Sequence, residues 1–183
     1  MFNKIIISGF MGGVVLIIWM VVVSGIFGFR SMIDMKQIQD ERQVYELLKS
    51  HITEPGRYLC NPELTSERIY PEGKPVFSIL YSGLGHESAG EEALFGILFA
   101  FCSTIIGSYL LSLTSNKIIS SYPRKVFFFV IIGLIIAIFS DFNNYGIGRY
   151  PFGDVLLLGL NDIFAWTAVG LVIAWRFKPE AAN

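Results

Sequence analysis

Hydrophobic residues gather into four long runs, at positions 5–29, 93–113, 126–140 and 155–175, and polar sequence is left to the ends and to one stretch between the first two runs. Crossing about 30 Å of hydrocarbon takes about 20 residues at a helical rise of ~1.5 Å each. Three runs reach that length. The third is completed by Pro123, Arg124 and Lys125 before it and by Asp141 and Phe142 after it. The pattern predicts an all-α transmembrane protein, a four-helix membrane bundle with spans at 1–30, 91–115, 123–142 and 154–177 and an extramembrane segment at 31–90.

Inside that segment the pattern changes. Residues 31–52 hold neither Pro nor Gly, and Ile38, Tyr45, Leu48 and Ile52 fall near one helical face with Glu41, Arg42, Glu46 and Lys49 around the rest. This predicts an amphipathic helix projecting from the first span and ending at Pro55 and Gly56. Residues 57–60 and 75–81 read as short strands, separated by turn-rich Asn61, Pro62 and 70–75. The insertion is therefore expected to be a small helix plus β-hairpin. A lone hairpin is marginal in water, so it is expected to lean on the projecting helix, the bilayer surface or another protein.

Terminus signals agree with these boundaries. Ser88, three residues before Glu91, forms a capping box for the second span. Pro123 suits a first helical turn, Gly153 or Asp154 is the expected cap of the fourth span, and Pro179 follows its end. The first run has a basic start like a signal peptide, but its length and the lack of a small-x-small site before Arg30 favour a retained span. Small residues recur four apart in every span, as at Gly9 and Gly13, Ser103 and Gly107, Gly133 and Ala137, and Gly170 and Ala174. Such spacing lets helix backbones approach closely in lipid.

Composition and charge add orientation. With 53% hydrophobic residues in 183, the chain lacks the polar surface of a water-soluble domain. Lys4, Lys117, Arg124, Lys125, Arg176 and Lys178 fall on one side of the spans, whereas 30–92 carries seven basic and eleven acidic residues. By the positive-inside rule both termini are expected in the cytoplasm and 31–90 outside it. Cys60 and Cys102 lie at different depths and make no disulfide framework.

Candidate chemistry is sparse. Asn161 and Asp162 fall seven or eight residues into the fourth span, about 12 Å deep, where an aspartate costs roughly 2.5–3.5 kcal/mol unless it faces the bundle. They form either a proton, cation or ligand site, or an interhelical hydrogen bond to Ser103, Thr104 or Ser140. At the outer end of the bundle Asp141, Asn143, Asn144 and Tyr145, with His86 and Glu87 beside the second span, form a polar cluster. It suits a cation or a lipid headgroup, or simply helix capping at the interface. Trp175 reads as an interface anchor and Trp166 as a packing residue.

Other classes are set aside. His51 and His86 are the only histidines and share no ligand spacing, so no metal site and no haem are expected. The 85–90 run lacks the glycine that a nucleophile elbow needs at His86. No phosphate loop, no nucleic-acid patch and no cofactor motif is present.

Glu54 to Tyr58 with Asn61 and Pro62, the 75–81 strand, and the fourth span through Trp166 and 170–174 resemble a group of uncharacterised small bacterial inner-membrane proteins with four spans and one large outer loop. That resemblance implies the architecture and a bacterial inner membrane, and no activity. Claudin-like proteins need a cysteine pair where only Cys60 stands, and small multidrug exporters use an acid in the first span, which has none. The expected role is an accessory protein that joins a membrane-protein partner or its own copies in the bilayer. A small transporter or proton-coupled carrier using Asp162 is the alternative, and a lipid-modifying enzyme a distant third.

Overall fold

The computed structural model describes residues 2–34, 36–85, 89–146 and 150–177. In chain order, α1 (Phe2–Met20) runs on as a π-helical segment, Val21–Ile26, before α2 (Phe29–Asp34) and α3 (Glu41–His51). Strands β1 (Gly56–Cys60) and β2 (Phe77–Tyr81) lead to α4 (Ala89–Ser112) and α5 (Asn116–Ile119). Then α6 (Tyr122–Ile136) passes through a second π-helical segment, Ala137–Phe142, into α7 (Asn143–Gly146), and α8 (Phe152–Arg176) closes the order. The chain divides into a bundle unit, 1–36 with 91–183, and an insertion unit, 37–90.

Four helices are long and apolar enough to cross a membrane: Phe2–Ile26, Glu92–Ser112, Tyr122–Tyr145 and Phe152–Arg176. This is an integral membrane protein of mainly helical architecture. Large apolar side chains point outward around the bundle, among them Phe139 at 80% exposure, as helices solvated by hydrocarbon require.

Helix α8 packs antiparallel against both α1 and α6. Small residues set these contacts: Gly12 lies against Val169 and Ile173, Gly170 against the Phe129 side chain, and Gly133 against the Ile163 backbone. Helix α4 joins through Gly9, where a Cβ would sit 2.5 Å from Cα of Ile105, so only glycine allows that approach. The core gathers Ile5, Leu111, Phe129, Trp166, Val169, Ile173 and Phe177, with Phe129 and Trp166 stacked at 6.3 Å. At the end near the chain termini the buried Lys125 Nζ donates to the carbonyl of Phe177 at 2.6 Å. It satisfies a carbonyl just past α8, where the helical ladder has run out of donors.

Two expectations are corrected. The projecting helix over 31–52 is not continuous: α1 ends before Gly28, whose φ of +64° is left-handed, and Asp40 at φ +53° precedes a fresh start at α3. Both conformations interrupt the i to i−4 ladder, and Gly and Asp are among the residues that tolerate them. Ile38 therefore lies outside α3, while Tyr45, Leu48 and Ile52 keep a common face. The fourth span is headed by Pro151, with neither Gly153 nor Asp154 as cap; the Pro151 carbonyl accepts from the amides of Asp154 and Val155. The Asp154 carboxylate instead accepts from Lys36 Nζ at 2.9 Å. The capping box at Ser88 and the breaker at Pro179 lie outside the described residues.

In the insertion unit β1 and β2 are antiparallel, in register from Gly56 opposite Tyr81 to Cys60 opposite Phe77. Tyr45, Lys49 and Ile52 of this unit line a cleft of about 330 Å³ together with Ile79, Leu80 and Tyr81. No residue of this unit is buried among those described.

Candidate functional site

Asp162 stands ten residues beyond the start of α8, so a helical rise of ~1.5 Å per residue puts it about 15 Å from that end. Its neighbours form a chain of polar contacts across three spans. Trp19 Nε1 on α1 donates to Oδ1 of Asn161 at 3.0 Å, and Asn161 Nδ2 donates to Oδ1 of Asp162 at 3.3 Å. Asp141 of the third span and the Arg30 guanidinium on α2 lie near enough to act electrostatically on Asp162. Asp141 is 8% exposed, and its Oδ2 is buried with no hydrogen-bond partner.

Asp141 owes this inward position to its backbone. It lies in the π-helical segment Ala137–Phe142, opposite Gly159 of α8, where a Cβ would come within 2.9 Å of the Phe142 ring. A π turn holds an extra residue, which rotates every later residue of the helix by about 100° around its axis. The matching segment of the first span, Val21–Ile26, carries Ser24. Extended π-helical turns are rare and tend to occur at functional sites.

Ser24, Arg30, Asn161 and Asp162 line one cavity of about 570 Å³, walled by Leu16, Trp19, Met20, Phe99 and Trp166. That volume suits a small solute, and apolar walls with a few convergent polar groups are typical of ligand sites. Aromatic faces beside a carboxyl suit a cation.

The residues singled out from sequence are dispersed. Ser103 lines the cavity beside Asn161 and Asp162, though its hydroxyl donates to the Ala100 carbonyl at 3.0 Å. Thr104 is buried and donates to the Ala100 and Phe101 carbonyls of its own helix; it does not reach Asp162. Ser140 is exposed. Asp141, expected in the outer polar cluster, is buried in the π-helical segment. Asn143 is exposed, the Asn144 carbonyl accepts from the Tyr150 amide at 3.1 Å, and Tyr145 meets Phe152 edge-on at 5.5 Å. His86 and Glu87 lie outside the described residues. Among the described residues no cluster of three or more His, Cys, Asp or Glu can hold a metal ion.

Sequence reasoning missed Trp19 and Arg30. Trp19 is the single tryptophan of the first apolar run, and Arg30 is the base immediately after it. Each carried a signal, a polar N–H and a charge at a span end, that depth alone assigns to the interface. No protein-family model matches the chain, and comparison with curated proteins and with solved structures returns no significant match.

Proposed function

We propose that the protein is a small membrane carrier that takes a cationic solute into the bundle cavity, with Asp162 as the group that meets it. One observation supports this reading above all: an ionisable residue about 15 Å into a span lines an open, solute-sized cavity. Ionisable residues at such depth face the bundle and mark solute or ion pathways. A contact needed only to join helices is already made by Trp19 and Asn161, and needs no open volume beside the acid. In this reading both termini face the cytoplasm and the insertion lies outside it, in a bacterial inner membrane.

The test is binding and uptake of labelled methylammonium by the purified chain in proteoliposomes. Wild type is expected to bind and move it, and Asp162→Asn to lose at least tenfold while the fold is retained. Equal binding by the two proteins, or none by wild type, removes the reading.

A second reading, an accessory subunit, draws on the insertion unit. Residues 37–85 bury nothing, and Phe77 and Leu80 of the hairpin are 61% and 78% exposed. A partner or a second copy of this chain would supply the missing cover. Mild-detergent purification tests it: a stoichiometric companion supports the accessory role, and a chain that elutes alone counts against it.

A further inference from the structure

Three buried hydroxyls follow one another on α4, at Thr104, Ser108 and Ser112, and a spacing of four keeps them on one helical face. That face starts where the cavity stops, since Ala100 and Ser103 of the preceding turn line the cavity. From there it runs toward the end of the bundle near the chain termini. Thr104 and Ser112 donate to carbonyls of their own helix, the ordinary settlement for a hydroxyl in an apolar span. Ser108 does not. Its Oγ is fully buried and finds no hydrogen-bond partner among the described residues, and the same holds for Ser8 Oγ on α1.

The two unpaired hydroxyls lie at similar depth. Gly9, next to Ser8, lies against the Ile105 backbone, and Gly13 against the Phe101 ring, so α1 and α4 are antiparallel. Ser108 is three residues beyond Ile105, which places the two serines within about 3 Å of each other along the bundle axis. Alanine in either position would leave no buried polar group unpaired, so packing gives no account of the hydroxyls. The region is shut by the Gly9 contact and by Phe10, which stacks on Phe101 at 4.6 Å. Helix α4 is also the least tied of the four spans. Long runs of backbone contact join α8 to α1 and α6, whereas among the described residues α4 shares no comparable run with any helix.

We propose that the terminus-side half of the solute path runs between α1 and α4, lined by Ser8, Thr104, Ser108 and Ser112, and opens as α4 draws away from α1. Withdrawal of α4 parts Gly9 from Ile105 and Phe10 from Phe101, and water then reaches the two unpaired hydroxyls. Hydroxyl oxygens accept from an ammonium N–H, so the four replace part of the hydration of a cation passing on from Asp162. The identity of the solute rests on the carrier reading; the path itself stands on the buried hydroxyls and the loosely held helix.

Two measurements on the full chain in sealed membrane vesicles test this. Ser8→Ala combined with Ser108→Ala is expected to keep methylammonium binding within twofold of wild type and to lower uptake at least fivefold. Uptake at the wild-type rate overturns the proposal. In the second, Ser108→Cys is expected to react with a small, membrane-impermeant thiosulfonate added on the terminus side, while Cys102 is spared; mass spectrometry of the digested chain locates the label. An introduced thiol that stays unmodified overturns the path. Should Ser108→Cys fail to fold, Ser8→Cys takes its place. Labelling needs no solute, and so it separates the two ideas. A reactive thiol in a chain that binds no methylammonium removes the carrier reading and leaves the hydrated path, whereas binding with an unreactive thiol removes the path and leaves the carrier reading.

Discussion

The indole N–H of Trp19 donates to Oδ1 of Asn161 at 3.0 Å, tying the first span to the fourth across 142 positions of sequence. This bond also aims the Asn161 amide at Asp162. Trp19→Phe keeps the aromatic wall and removes the donor. It is expected to cost about 0.6 kcal/mol and at most about 1.7, the range for hydrogen bonds between membrane helices. Unfolding in mixed micelles measures that loss, and an unchanged midpoint would refute the bond.

At the opposite end, Lys125 Nζ, 4% exposed, reaches the carbonyl of Phe177. Lys125→Met keeps the stem and deletes the donor. Bonds to charged groups contribute about 1.5–3 kcal/mol, so a lower melting temperature is expected, with faster hydrogen exchange in the last turn of α8. Exchange that speeds up evenly along the helix would argue against a local cap.

Gly9 and Gly96 should respond oppositely. A Cβ at Gly9 would meet the Ile105 backbone at 2.5 Å, whereas a Cβ at Gly96 meets nothing within 4 Å. Overpacking costs typically 1–3 kcal/mol, so about that loss is expected for Gly9→Ala. For Gly96→Ala the helix propensity of alanine predicts no loss, and a gain of up to about 1 kcal/mol. Thermal melts of the two variants side by side check the contrast.

Cys60 and Cys102 are both free and exposed, the first on β1 and the second on α4. An exposed residue of a span faces lipid. A membrane-impermeant maleimide is therefore expected to modify Cys60 and spare Cys102 in intact membranes. With the termini in the cytoplasm, Cys60 reacts from outside the cell; modification only after the membrane is opened would reverse the topology.

Much of the fold was legible along the chain. Spans follow from the length of apolar runs, because hydrocarbon rejects unpaired backbone and accepts a helix of sufficient length. The glycines at 9, 133 and 170 were readable as places of close approach, since lipid offers helices little other reason to pack. The strands followed from local alternation and turn chemistry. The break at Gly28 was harder to read, because one residue in a left-handed conformation leaves hydropathy unchanged.

The amino-acid order alone determined that the chain is a helical membrane protein with one polar insertion, and it marked Asp162 as an acid that must face inward. Only the tertiary structure decided which groups Asp162 meets. Asp141 read as an interface residue, yet it is buried within a π-helical segment, and Trp19 and Arg30 were not singled out at all until the first span was laid against the fourth. Hydropathy reports the depth of a residue in the membrane. Its rotation about the helix axis, and the partner it finds there, depend on backbone irregularities and packing between segments distant in sequence.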